Sequence, residues 1–149
     1  IPETATLHRA SELDRMRWIN RMSADIGANS EERINLQKAL LELEDASVCN
    51  RAELEQLEEY VQSGGLSRAD TVAAQERIKD VLASIKEYDA EGAAIRKEID
   101  ANEVQRRQLQ TEIDVATSNN TDAPFLQMVM SFRMQALKLQ EQQFQTALR

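Results

Sequence analysis

The chain is poor in every residue type that staples, ligates or turns a polypeptide. Its 149 residues hold one cysteine, one histidine, two prolines and four glycines. Cys49 has no second cysteine for an internal disulfide, so nothing marks the chain as a secreted scaffold. His8 alone offers no metal cluster, and no metal or cofactor is expected. Aromatics make up 4% (three Phe, two Tyr, one Trp), too few to furnish a sheet-based core. No apolar run approaches the ~18 residues of a membrane span. The opening Ile1-Pro2-Glu3-Thr4 has neither the basic nor the apolar region of a signal peptide and no starting Met. The expectation is a segment of a longer intracellular protein.

What the chain does have is charge and helix formers. Glu, Gln, Ala, Leu and Arg dominate, 30% of residues are charged, and 26 acids against 18 bases leave a formal −8. This is the composition of long helices or a coiled coil. The acidity disfavours nucleic acid and anionic membranes as partners.

Two stretches break the helical pattern. In Gln62-Ser63-Gly64-Gly65-Leu66-Ser67 the paired glycines end a helix and act as a hinge, and Ser67, three residues before Asp70, starts the next. Thr117-Ser118-Asn119-Asn120-Thr121-Asp122-Ala123-Pro124 is the second, with Pro124 suited to a helix's first turn. The expected elements are a helix over about 4–62, a turn at 62–67, a helix over about 67–117, a linker at 117–124 and a helix over about 124–149, in one stalk segment.

The middle block has the clearest period. Ile78, Val81, Ile85, Tyr88, Gly92, Ile95, Ile99, Asn102, Arg106, Leu109, Ile113 and Ala116 alternate steps of three and four, the heptad of a coiled coil with polar interruptions. Leu36, Leu40, Leu43, Ser47, Asn50, Leu54, Leu57 and Val61 do the same in the first block. Leu13, Met16, Ile19, Met22 and Ile26 extend that stripe less regularly. The fold class expected is therefore all-α and elongated: a long antiparallel helical hairpin plus a third helix, dimerised or not. The two long helices would be rods of roughly 75–90 Å each.

A turn this short favours an antiparallel hairpin, with Leu57 near Val72, Leu40 near Asp89 and Gly27 near Asn102. Two parallel chains with a stutter at the glycines are the alternative. In the hairpin, the weak stretch Gly27-Ala28-Asn29-Ser30 meets the polar interruption at Asn102 and Arg106, a matched soft point where both helices could bend. In the third block Phe125, Leu126, Met128, Val129, Met130, Phe132, Met134 and Leu137 are apolar on most faces. Such a helix must bury several of them, on the open end of the hairpin or on a second copy.

Candidate chemistry is sparse. Adjacent carboxylates such as Glu58 and Glu59 lack the cleft that would separate their pKa values, and they read as solvated helix face. Cys49 has no histidine placed to activate it. Gly64-Gly65 lacks the Lys-Ser/Thr ending of a phosphate loop. Catalytic, cofactor-binding and metal residues are accordingly not assigned. Asn50 and Asn102, polar at seam positions, either set register and partner choice or are tolerated imperfections. Between Glu31 and Gln62 nine acids face three bases, which is −6 of the total −8, whereas the third block carries +2. The carboxylates Glu42, Glu44, Asp45, Glu53, Glu55, Glu58 and Glu59 are the partner-binding candidates, able to hold a basic protein. The same charges equally serve solubility.

Three stretches resemble the stalks of the kinesin-four family. These are the turn Gln62 to Ser67, the helix Ile85-Lys86-Glu87-Tyr88-Asp89-Ala90-Glu91-Gly92-Ala93-Ala94-Ile95, and the apolar Phe125–Met130 running into Leu137-Lys138-Leu139-Gln140-Glu141-Gln142-Gln143-Phe144. The spacing is most similar to the Hedgehog-pathway branch that includes the fly protein Costal. The likeness is of pattern and order, without a strict motif, and no nucleotide site accompanies it. It implies a non-catalytic, cytoplasmic and cytoskeleton-associated stalk, at the cilium in the Hedgehog branch. Such a stalk forms a homodimer through its coiled coil and scaffolds protein partners, including a basic zinc-finger transcription factor. Autoinhibition of a kinesin motor and a purely structural cytoskeletal spacer are the alternative roles.

Overall fold

The computed structural model describes residues 12–118 and 123–148, with side chains over 13–116 and 128–147. Residues 4–11 of the expected first helix, His8, linker residues 119–122 and the side chains of Phe125 and Leu126 lie outside what is described.

Three helices account for the described chain apart from one turn: α1 (Glu12–Gln62), α2 (Arg68–Ser118) and α3 (Ala123–Leu148). The turn between α1 and α2 is built by local chemistry. The Ser63 amide donates to the Glu59 carbonyl at 2.9 Å, and the Ser63 hydroxyl donates to the Tyr60 carbonyl at 2.7 Å. Gly64 and Gly65 then both adopt φ of +74°, a conformation side-chain-bearing residues rarely take. Ser67 caps α2, its Oγ accepting from the Asp70 amide at 3.1 Å. The two long helices form an antiparallel hairpin, as the short turn predicts.

The chain divides into two compact units. The first holds the 12–35 part of α1, the 99–118 part of α2 and all of α3. The second is the hairpin stretch 36–98.

In the second unit the heptad reading holds position by position. All eight α1 seam residues from Leu36 to Val61 are partly covered, and Val81, Ile85 and Gly92 of α2 are buried. A Cβ at Gly92 would lie 3.8 Å from Leu40 Cδ1, so Leu40 sits about one turn from its expected neighbour Asp89. Arg77–Glu53, Arg96–Glu44 and Arg51–Asp89 tie the two arms from outside.

In the first unit three helices enclose a true core of Trp18, Met22, Ile26, Leu109, Ile113, Ala116, Met130 and Met134. Within this unit the third block thus packs on the 12–35 and 99–118 stretches of the two long helices. One expectation fails here. Leu13 and Met16 are 58% and 56% exposed, because the buried face of α1 runs through Trp18, Met22 and Ile26 instead. Among the described side chains of α3, Met130 and Met134 are buried in this unit, while Met128, Phe132 and Leu139 face solvent.

Met130, fully buried, should lose about 2–5 kcal/mol of stability on Met130→Ala, as large-to-small core changes do. Leu82→Ala, at a half-exposed position, should change it by about 0.5 kcal/mol or less. Urea unfolding followed by circular dichroism measures both, with fluorescence of the sole tryptophan, Trp18, reporting on the first unit.

Candidate functional site

Apolar seams let helices slide past one another by a heptad, so the polar residues in the first unit decide how its helices meet. Asn29 of α1 and Asn102 of α2 are each 2% exposed. The Asn29 side-chain amide donates to the Asn102 backbone carbonyl at 3.1 Å, and Asn102 returns the bond to the Asn29 carbonyl at 2.9 Å. One turn on, each helix places an arginine. Arg33 Nε donates to Asn102 Oδ1 and Arg106 Nε to Asn29 Oδ1, both at 3.0 Å. The two arms therefore contribute the same Asn-x-x-x-Arg element, related by the local two-fold of an antiparallel pair. Gln105 Oε1 accepts a further bond from Asn29 at 3.0 Å.

Each arginine then finds a carboxylate. Arg33 pairs with Glu103 of α2. Arg106 reaches α3, where both of its terminal nitrogens donate to Glu141, one of them at 2.9 Å to Oε2. The Ser30 hydroxyl donates to Glu141 Oε1 at 2.8 Å. The Arg106 and Glu141 side chains are only 10% and 8% exposed, so α3 is held by a charge-assisted, two-pronged bond in a nearly dry setting.

Burial alone would raise the Glu141 pKa. The hydrogen bonds from Arg106 and Ser30, with the charges of Arg106 and Arg33, outweigh it and leave the carboxyl below the ordinary glutamate value. Arg106 is raised in turn, chiefly by its hydrogen bond to Glu141. Glu103 is lowered, chiefly by Arg33. The matched soft point expected at Gly27–Ser30 thus has the predicted facing, but its polar groups are mutually paired and both helices run through it unbroken.

The acidic candidates are placed differently. Glu53 receives two bonds from Arg77 at 2.7 and 3.0 Å, and Glu44 receives one from Arg96 at 3.2 Å. Both are therefore engaged across the second unit's hairpin. Glu42, Asp45, Glu55, Glu58 and Glu59 are exposed. Asn50 is partly buried on the seam, Asn102 lies at the centre of the buried network, Gly64 and Gly65 form the turn, and Cys49 is exposed. Among the described residues there is no group of three or more His, Cys, Asp or Glu that could hold a metal, and no helix is long and apolar enough to cross a membrane.

Sequence reasoning passed over Arg33 and Glu141, and had Ser30 only as part of the weak stretch. The signals were there. Asn29-Ser30-Glu31-Glu32-Arg33 repeats the Asn102-to-Arg106 spacing. Glu141 falls on the same three-four alternation as Met130, Met134, Leu137 and Phe144.

Compared with known proteins, the chain is 31% identical over 132 residues to "Kinesin-like protein KIN-8B" of Arabidopsis thaliana, an alignment covering 89% of this chain. The chain is related to a kinesin-like protein. It spans 16% of that kinesin-like relative's length. No family model and no solved structure matches. The kinesin part of the expected resemblance is met; the Hedgehog branch gains nothing from this relative.

Two outcomes test the buried clasp in this kinesin-related segment. Arg106→Met, which strands Glu141, should cost about 3–5 kcal/mol, whereas Arg106→Met with Glu141→Leu should recover most of it. The second concerns acid. Because Glu141 and Glu103 are lowered in the fold, their contribution is complete above the ordinary glutamate pKa of about 4.3 and fades as pH falls below it. The stability gap between the native chain and Glu141→Gln, read from Trp18 fluorescence in urea, should be widest near neutral pH and close toward pH 3.

Proposed function

We propose that this chain is a non-catalytic stalk segment of a kinesin-like protein, one that pairs with a second copy and carries protein partners. The relationship over 89% of the chain, joined to an all-helical architecture, is the observation that carries this reading. Pairing is supported by the second unit. There, with two helices and no third, the α1 seam from Leu36 to Val61 stays only partly covered. An apolar seam left in this state favours a further helix pair.

Partner binding falls to the exposed carboxylates Glu42, Asp45, Glu55, Glu58 and Glu59, with Glu44 and Glu53 restrained by their arginines. A concentration of exposed carboxylates on one helix suits a basic protein surface, such as the DNA-reading face of a zinc-finger protein. The Hedgehog-pathway role draws its support from the three stretches that resemble that branch. Cytoskeletal association follows from the kinesin relationship.

Light scattering should give a particle of twice the 16.9 kDa chain mass; a monomer at all concentrations contradicts pairing. Reversal of Glu55, Glu58 and Glu59 to Lys should weaken binding of a zinc-finger array at low salt by about tenfold or more, with helicity intact. Unchanged binding removes the acidic face from the reading.

A further inference from the structure

The outward side of α3 is the least expected surface of the first unit. Phe132 is 75% exposed, Met128 60% and Leu139 55%. With Gln135 and Gln142, also exposed, they form a file at 128, 132, 135, 139 and 142, alternating steps of four and three. That file runs on the opposite side from Met130, Met134, Leu137 and Glu141, so α3 carries two helix-packing seams and uses one. Beside the outer seam Met128, Val129, Phe132, Arg133, Ala136 and Leu137 line a shallow groove of about 660 Å³.

We propose that this outer face of α3 docks an amphipathic helix of another protein whose apolar stripe is flanked by carboxylates. The three-four spacing suits a helix, since a seam of that period meets its like in a second helix. The charge selects an acidic one. Among the described side chains of α3 the charged groups are Arg133, Lys138 and Glu141, and Glu141 is buried against Arg106. The solvent side therefore presents cations alone, in a chain of net −8.

A second copy's α3 would bring Arg133 and Lys138 against their own kind with no carboxylate to answer them. An anionic membrane would attract this face but repel the remainder of the chain. The proposal uses residues other than the α1 carboxylates and does not depend on the kinesin relationship.

The test uses the full chain and two fluorescent peptides of about three heptads each, with leucine at both seam positions and either Glu or Lys at the flanking ones. Anisotropy should show the Glu peptide binding at least about tenfold more tightly than the Lys peptide. Phe132→Ser should weaken it by about tenfold or more, as loss of a central aromatic anchor does. Arg133→Glu with Lys138→Glu should invert the preference between the two peptides. All three side chains are exposed, so helicity and Trp18 fluorescence should be unchanged; should Phe132→Ser disturb them, the charge-reversed variant carries the test. Equal binding of the two peptides overturns the proposal. So does self-association that Phe132→Ser abolishes, or binding to phosphatidylserine vesicles without any peptide preference.

Discussion

Two asparagines that exchange hydrogen bonds across the hairpin set the terms for the first unit. A long apolar heptad has little to say about register, because displacement by one repeat presents an almost identical face. Asn29 and Asn102 remove that freedom: each amide is satisfied only when it meets the other's carbonyl. Displacement by a heptad would leave both buried and unpaired, at a cost of about 1–3 kcal/mol for each lost group. Arg33 and Arg106 extend the constraint, each spanning from its own helix to the other helix's asparagine.

The same network reaches α3 through Glu141. The pair with Arg106 adds little net stability over a well-packed hydrophobic pair, since desolvation of two charges offsets most of their attraction. Its effect is selective. The α3 stripe of Met130, Met134, Leu137 and Phe144 is nearly repetitive, and Glu141 is its one charged member, so one alignment against Arg106 is preferred over its neighbours. The first unit is thus built from ordinary helix packing, with specificity concentrated in eight polar side chains. The cross-hairpin ion pairs of the second unit are exposed, and pairs of that kind contribute about 0–1 kcal/mol each.

Much of this was readable from residue order. The twelve seam positions of α2 from Ile78 to Ala116 are all buried or partly buried, and the eight of α1 from Leu36 to Val61 are all partly buried. The hairpin followed from two glycines that both need positive φ. Less was readable where three helices meet. Leu13 and Met16 continue the stripe by spacing, yet α3 draws a different face of α1 inward through Trp18 and Met22. Glu141 sits in a Gln-rich tail that looks solvated, and only the arrival of Arg106 from another helix makes it a core residue. The candidate carboxylates followed from local charge density, but which of them an arginine would engage depended on the hairpin register.

The relationship to a kinesin-like protein gives this architecture a setting, and the fold gives the setting physical content. A helical segment with a polar clasp has a defined surface at that place, where a uniform coiled coil would offer only repeating ones.

The most direct test of the central claim is an intrachain distance. With Cys49 replaced by Ser, spin labels at the exposed positions Glu32 and Ala101 lie on facing arms of the hairpin beside the asparagine pair. Diluted with unlabelled chain, they should report a separation of about 20 Å or less, given helix axes about 8–10 Å apart and the reach of two labels. A separation on the order of 100 Å, as for one extended rod over the intervening residues, would contradict the account.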